Sequence, residues 1–370
     1  MLTTQMNITF LTASLGSGGA ERVVSLLSNR MLEMGHLVEI ICLMYDDVYY
    51  QMKPEVKLTV VPRVCPGNIM KRLFWLRHHL LKEKPDVVIP FTEGVYCFTI
   101  AALLGTGIPI IASERLDPTA MSLSRKILKR LLLPYADWLV VQTESIKAYF
   151  PKSIQKKTSV IYNPVREDVF ENPSMDSRVQ SSNAASSVES SKLNRIISVA
   201  RLYPQKNQKM MIEAFAKIAD EFPDWQLVIF GEGPLRAELE SLVSSFKLDG
   251  RVLLPGRTEH VIEELRKSKI FCLSSDYEGM SNSMIEAICV GLPIITTKVS
   301  GTEELITNGE NGFVVEVGDV EGLTDSIHIL IKNEALRIRM GYVSLNESYK
   351  FSLNEIKEQW CRLIIKIISK

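Results

Sequence analysis

The chain has 370 residues, 46% hydrophobic and 23% charged, with 43 Lys and Arg balancing 43 Asp and Glu. That length and apolar content exclude global disorder, and at about 150 residues per domain they suggest two cores. The net charge is zero, and the excess of 20 basic over 15 acidic side chains in residues 1–170 is too modest to argue for a nucleic-acid partner but suits an anionic surface or substrate beside the first half.

Six cysteines (Cys42, Cys65, Cys97, Cys272, Cys289, Cys361) show no paired spacing and mostly occupy apolar stretches. They read as reduced core residues of a cytosolic protein, not as a disulfide frame or a zinc site. The polar start runs straight into a strand, and no apolar run approaches the roughly 18 residues needed to span a bilayer, so the chain reads as soluble or peripheral.

In chain order, Met6–Ala13 reads as a strand, Leu15-Gly-Ser-Gly-Gly19 as a glycine loop, and Ala20 to about Met34 as a helix closed by Gly35. Strand, glycine loop and helix let backbone N–H groups approach a phosphate, but the third glycine of the dinucleotide fingerprint is missing and a plain tight turn fits as well. Strands at 37–43 and 57–61, helix 69–84, strand 86–90, helix 93–104, strand 108–112, helix 123–133 and strands 137–142 and 158–162 follow. This alternation predicts a doubly wound parallel sheet with helices on both faces.

Residues 171–192 are Ser-rich without apolar periodicity and read as a linker or mobile loop, or equally as a surface insertion in the second domain. Alternation restarts with strand 195–200, helix 208–221, strand 226–230, helix 234–246, strand 252–254, helix 261–267, strand 269–273, helix 282–290 and strands 293–297 and 312–317, before three closing helices. The predicted organisation is an N-terminal Rossmann-like domain over 1–170, a linker over 171–192, a second Rossmann-like domain over 193–349, and a C-terminal helix over 350–370 packing back towards the first domain. A cleft between the domains is the expected active site.

Four features fall at strand ends in the second half, where open α/β sheets bind ligands. Arg201 and Lys206 leave the loop after the first strand, Gly231-Glu232-Gly233 follows the second, Pro255-Gly256-Arg257 the third, and Glu278 the fourth. Glu286 lies eight positions beyond Glu278, about one turn into a helix that starts at Asn282. A guanidinium and an ammonium suit a departing diphosphate, glycines admit a ligand to the backbone, the helix start at Ser281–Ser283 offers N–H groups to phosphate, and the two carboxylates accept hydrogen bonds from hydroxyls. The set suits a sugar nucleotide.

At these positions the sequence resembles glycosyltransferase family 4, retaining nucleotide-sugar enzymes of GT-B fold. The resemblance rests on Gly18-Gly-Ala-Glu-Arg-Val23, Val199-Ala-Arg-Leu-Tyr-Pro-Gln-Lys-Asn207, Phe230-Gly-Glu-Gly-Pro-Leu235, Leu254-Pro-Gly-Arg257, the Glu278 and Glu286 pair, Gly291-Leu-Pro-Ile-Ile295 and Glu310-Asn-Gly-Phe313. It implies that Arg201 and Lys206 hold the donor diphosphate with Gly18 and Gly19 backing it, that Glu286 binds the ribose, and that Glu278 contacts the transferred sugar. It further implies that Gly231, Glu232, Gly256 and Arg257 border the nucleotide and that Ser281 and Asn282 give backbone N–H groups to phosphate. The family often has proline where this chain has Ser281.

Nothing in the sequence identifies a nucleophile, and the family is described by same-face attack in which the leaving phosphate takes the acceptor proton. No Asp-x-Asp stands near a strand end, so neither a metal nor another cofactor is expected, with a UDP-sugar as substrate. Glu114 and Arg115 stand where many relatives have His-Asp; the pattern resembles a subgroup acting on cell-envelope saccharides and makes both residues acceptor or donor-sugar candidates, with an internal salt bridge as the other reading. Helices 69–84 and 125–133 are basic and amphipathic, which fits either an anionic lipid surface presenting a polyprenyl-diphosphate-linked acceptor or two sheet-packed helices with solvated basic faces. The expected activity is sugar transfer from a UDP-sugar to a lipid-linked or surface saccharide in the cytoplasm or at the inner membrane face. A sugar-nucleotide epimerase or phosphorylase of the same architecture, and a non-catalytic binding module, are the alternatives.

Overall fold

The computed structural model describes residues 5–369 apart from 17, 46–47, 51, 66–67, 119–120 and 171–188, so most of the Ser-rich segment lies outside the described residues. The chain forms two compact units, Met1–Pro164 with Leu353–Lys370, and Val165–Ser352. The boundary falls after Pro164, not after residue 170 as the sequence pattern predicts. Residues 165–169 instead join the second unit, because the Val165 N–H donates to the Phe351 carbonyl (2.9 Å) and Arg266 Nη2 donates to the carbonyls of Asp168 and Val169 (3.1 and 3.0 Å).

The first unit contains strands β1 (Asn7–Thr12), β2 (Leu37–Cys42), β3 (Lys57–Val60), β4 (Val87–Pro90), β5 (Ile111–Ser113), β6 (Trp138–Val141) and β7 (Thr158–Val160), every pairing parallel. They form a four-stranded sheet of order β3-β2-β1-β4 and a three-stranded sheet β5-β6-β7. The break has a covalent cause. Val88 N–H donates to the Pro109 carbonyl and Thr92 N–H to that of Ser113, both at 2.9 Å, so the parallel alternation puts residue 90 opposite the Ile111 carbonyl, where Pro90 has no N–H to give.

Helices α1 (Gly19–Glu33), α2 (Ile69–Glu83), α3 (Glu93–Leu103) and α4 (Leu123–Leu132) connect these strands. Asn68 caps α2 by accepting from the Lys71 N–H, and Lys84 ends it in the left-handed conformation. The C-terminal helix Leu353–Ile368 returns to this unit and buries Ile356, Trp360, Leu363 and Ile364 in the core around β1. Trp360 stacks on Phe91 with ring centres 6.0 Å apart, and Arg30 of α1 donates to the Asn354 side chain at 2.6 Å.

The second unit has one six-stranded parallel sheet, β8 (Arg195–Val199), β9 (Gln226–Phe230), β10 (Val252–Gly256), β11 (Ile270–Leu273), β12 (Ile294–Thr297) and β13 (Gly312–Val315), in the order β10-β9-β8-β11-β12-β13. Its central strands are apolar along their length, as covering helices on both faces require; all four residues of β11 are buried. The helices that matter for the site are α5 (Gln208–Ala216), α6 (Arg236–Ser245) and α7 (Asn282–Cys289). The first of these stops at Ala216, five residues short of the Glu221 end expected from its periodicity.

The sheet order reverses between β8 and β11, which pair through Ile196 with Ile270 and Ile197 with Phe271. In doubly wound sheets this switch point opens a crevice at the carboxyl ends of the strands. Among the described residues no helix is long and apolar enough to cross a membrane.

Candidate active site

Arg201 and Lys206 follow β8, Glu278 follows β11, and the switch point brings these two loops together. The Lys206 ammonium is ion-paired with Glu278, whose Oε1 also accepts from Ser275 Oγ at 2.7 Å. Their side chains are 14% and 9% exposed, so the pair sits in a half-dry site that still opens to solvent.

The two loops are fastened at several points. Asp276 N–H donates to the Gln205 carbonyl (2.9 Å), Gln205 Nε2 to the Tyr277 carbonyl (2.8 Å), and Asn207 Nδ2 to Asp276 Oδ1 (2.8 Å). Asn207 adopts the left-handed conformation, φ 43° and ψ 47°, while its side chain caps α5 by accepting from the Met210 N–H. Asparagine is among the few non-glycine residues that tolerate this backbone and cap at once, and the turn aims Lys206 at Glu278. The Arg201 guanidinium lies 4.9 Å from the centre of the Tyr203 ring, and its carbonyl accepts from Gln208 Nε2 at 2.8 Å.

The glycines at the next strand ends are required by the packing of neighbouring loops. A Cβ on Gly231 would stand 1.9 Å from the Ala200 carbonyl oxygen, and one on Gly233 would stand 2.2 Å from that of Leu202. What approaches these glycines closely is the neighbouring loop. Gly231 N–H donates to the Gly256 carbonyl (2.8 Å) and Leu202 N–H to the Glu232 carbonyl (3.0 Å), so the ends of β8, β9 and β10 form one wall.

Arg236, which the sequence reading passed over, holds that wall. Its guanidinium grips both oxygens of Glu232 (2.7 and 2.9 Å) and donates to the Leu254 carbonyl (2.9 Å) and, more weakly, to that of Gly231 (3.4 Å). The hydrogen bonds from Arg236, with the nearby Arg257 adding to them, keep the Glu232 carboxyl below its usual range. The signal was present as an i, i+4 pair at the start of α6. Glu232 is therefore a bridge within the wall, and Gly256, at φ 93°, passes beneath its carboxylate.

Ser281 caps α7, its hydroxyl accepting from the Met284 N–H at 3.4 Å, and Asn282 opens the helix. Glu286 lies in the second turn of α7 and is 4% exposed. In the first unit Gly18 caps α1, and the carboxylate of Glu21 folds over it so closely that a Cβ there would lie 2.1 Å from Glu21 Oε2. The chain's own acid thus faces the helix start beside Gly18 and Gly19, where a diphosphate was expected.

Glu114 and Arg115, the acceptor or donor-sugar candidates, are both buried in the first unit. Glu114 has no exposed surface; its Oε2 accepts from Tyr96 (2.9 Å) and pairs with Lys129 (3.3 Å), and burial outweighs that cation and raises its pKa. Arg115 donates to Ser113 Oγ (2.8 Å) and Asn163 Oδ1 (2.7 Å), lies 4.6 Å from the Phe91 ring centre, and is pushed down to a pKa of about 9 by burial. The two do not pair side chain to side chain. They fasten the first unit internally, Arg115 against the aromatic stack that carries the C-terminal helix. Among the described residues no group of three His, Cys, Asp or Glu side chains is placed to hold a metal ion.

The family model described as Glycosyl transferases group 1 matches residues 179–345, and that described as Glycosyltransferase Family 4 matches residues 17–169. The chain belongs to this group of glycosyltransferases, and its two doubly wound domains are those of the GT-B fold.

Among relatives, an α-1,4-N-acetyl-D-galactosaminyltransferase of Campylobacter jejuni, named for its undecaprenyl-diphosphate-linked GalNAc-GalNAc-diNAcBac acceptor, is 28% identical over 98% of this chain and 99% of its own length. The N-acetylgalactosamine-N,N'-diacetylbacillosaminyl-diphospho-undecaprenol 4-α-N-acetylgalactosaminyltransferase of the same organism is 29% identical over 88% and 90%. Among solved structures, Anabaena HepE with UDP and glucose superposes with a TM-score of 0.78 at 17% identity, covering 97% of this chain and 99% of that one. Sucrose-phosphate synthase from Thermosynechococcus elongatus reaches 0.80 at 18% identity, covering 99% and 100%. These superpositions establish the shared fold.

Proposed function

We propose that this glycosyltransferase takes a UDP-sugar and passes the sugar, with retention at the anomeric carbon, to a saccharide carried on a polyprenyl diphosphate, at the inner face of the cytoplasmic membrane. The observation that carries this reading is the Lys206–Glu278 pair at the switch point of the second sheet, on the same loop as the exposed Arg201. When the bond from the anomeric carbon to the diphosphate breaks, negative charge grows on the departing oxygen, and the partly desolvated Lys206 ammonium, with the Arg201 guanidinium from the same loop, stabilises it. Lys206 is available for this only once Glu278 releases it. A donor supplies the exchange: its phosphate takes the ammonium and its sugar hydroxyls take the carboxylate.

With cations supplying the charge compensation, the diphosphate needs no metal bridge and no other cofactor. The acceptor hydroxyl attacks from the face the phosphate leaves, and its proton passes to that phosphate, so no side chain serves as nucleophile. Glu286 takes the ribose, and the Gly231–Gly256 wall borders the base. The undecaprenyl-linked acceptors of the Campylobacter relatives support the acceptor class, and UDP bound to the Anabaena neighbour supports the nucleotide.

Purified protein is incubated with radiolabelled UDP-sugars and bacterial lipid extract, with and without a metal chelator. The expected result is chelator-insensitive movement of label into lipid, with the α-linkage of the donor kept. Release of free sugar alone, conversion of one UDP-sugar into another, or an inverted linkage refutes the reading.

A further inference from the structure

Helix α4 packs with the wrong face inward for a soluble protein. Of its ten residues only Lys129 is buried, while Leu123, Ile127, Leu128 and Leu131 are 74, 53, 48 and 64% exposed. At 100° per residue those four side chains span one arc of about 140°, and Arg125 and Lys129 lie on the opposite side. That cationic side holds the helix to the domain. Arg125 pairs with buried Glu93 at 2.5 Å, and Lys129 pairs with buried Glu114 at 3.3 Å. A surface helix normally buries its apolar stripe and shows its charges, so the inversion asks for a partner outside the domain.

The neighbouring surface agrees. Helices α2 and α4 both pack against α3, and the first two turns of α2 expose Ile69, Met70 and Phe74 at 58, 54 and 63%. Helix α4 carries four cations and no acid, and α2 has the single acid Glu83 against Lys71, Arg72, Arg77 and Lys82. A second copy of this surface brings like charge onto like charge. An interface of acyl chains beneath anionic headgroups satisfies both the leucines and the cations at their margin.

We infer that α4 is an interfacial helix that seats its Leu123–Leu131 face in an anionic bilayer, with the first turns of α2 beside it and the buried carboxylates of Glu93 and Glu114 anchoring it from behind. The inference adds a partner surface to the acceptor reading above, and vesicle binding tests it without any sugar donor.

The probe is sedimentation with vesicles of phosphatidylglycerol and phosphatidylethanolamine, with phosphatidylcholine vesicles as the neutral control. Wild-type protein is expected to sediment with the anionic vesicles, less so in high salt, and the Ile127→Ser, Leu131→Ser double variant to lose at least about tenfold in partitioning. Both positions are exposed, so the variant should keep wild-type circular dichroism and UDP affinity. Equal partitioning of variant and wild type, or no sedimentation of wild type, overturns the proposal. So does a lipid-free wild-type dimer that the double variant dissociates, which makes the occupant a second copy. Loss of UDP binding with vesicle binding intact refutes the donor reading alone.

Discussion

Glu278→Gln and Lys206→Met, singly and together, separate two roles for the pair at the switch point. Removing either charge leaves the other with a side chain only 9 to 14% exposed and no other ion-pair partner among the described residues. A fully buried broken pair costs about 3–5 kcal/mol, and discounting for the solvent that reaches this site gives about 1–3 kcal/mol for each single variant. For a unit the size of Val165–Ser352, that is a fall of roughly 2–10 °C in the midpoint of its melting transition. The double variant leaves no lone charge and should recover most of the loss.

Activity is expected to follow a different rule. If Lys206 stabilises the departing phosphate and Glu278 binds the donor sugar, each single variant loses about 10²–10⁴ in kcat/KM, and the double variant loses at least as much as the worse single one. The assay is differential scanning calorimetry beside initial rates with the radiolabelled donor. Activity that returns with stability in the double variant would refute the reasoning, because the pair would then serve the fold alone.

Further expectations concern residues around that pair. Arg236→Ala frees the wall formed by Gly231, Glu232 and Leu254, so KM for the UDP-sugar should rise about tenfold with kcat within a factor of about three; a pure kcat loss would place Arg236 elsewhere in the mechanism. Trp360→Ala removes a fully buried ring from the core of the first unit and should cost about 3–5 kcal/mol, read by urea unfolding. Glu39 is buried, which raises its pKa, but hydrogen bonds from His79 and Thr59 and the His79 charge outweigh this and lower it. The depressed value contributes stability above the usual carboxylate range and loses it as pH falls through the folded value. His79→Ala should therefore move acid unfolding, followed by tryptophan fluorescence, to higher pH; an unmoved midpoint would show that His79 does not set that carboxylate.

The parallel sheets were legible because buried strands such as Gln226–Phe230 read as short apolar runs between helical periods, and the structure gives that strand the same limits. The strand-end position of Arg201, Lys206 and Glu278 followed from the same alternation. The approach of Lys206 to Glu278 did not, since it depends on which strands neighbour each other across 72 residues of sequence. Glycine-rich strand ends look alike whether a ligand or a neighbouring loop takes the space, so Gly231 could not be assigned without the Ala200 carbonyl in view. Amphipathic spacing in Leu123–Leu132 defines two faces but not which one turns inward. Here two carboxylates from other elements, Glu93 and Glu114, draw the cations in, and the same burial removes Glu114 from the surface.

The C-terminal helix has a consequence for biosynthesis. Residues 353–370 supply Trp360 and its neighbours to a core otherwise built from the first 164 residues. At about 5–20 residues per second the ribosome makes the intervening 188-residue unit in roughly 10–40 s, so the second unit completes its chain first although the other emerges first. Throughout that interval the nascent first unit lacks the side chains that pack beside Phe91, which makes it a client for chaperones until residues 353–370 have been made.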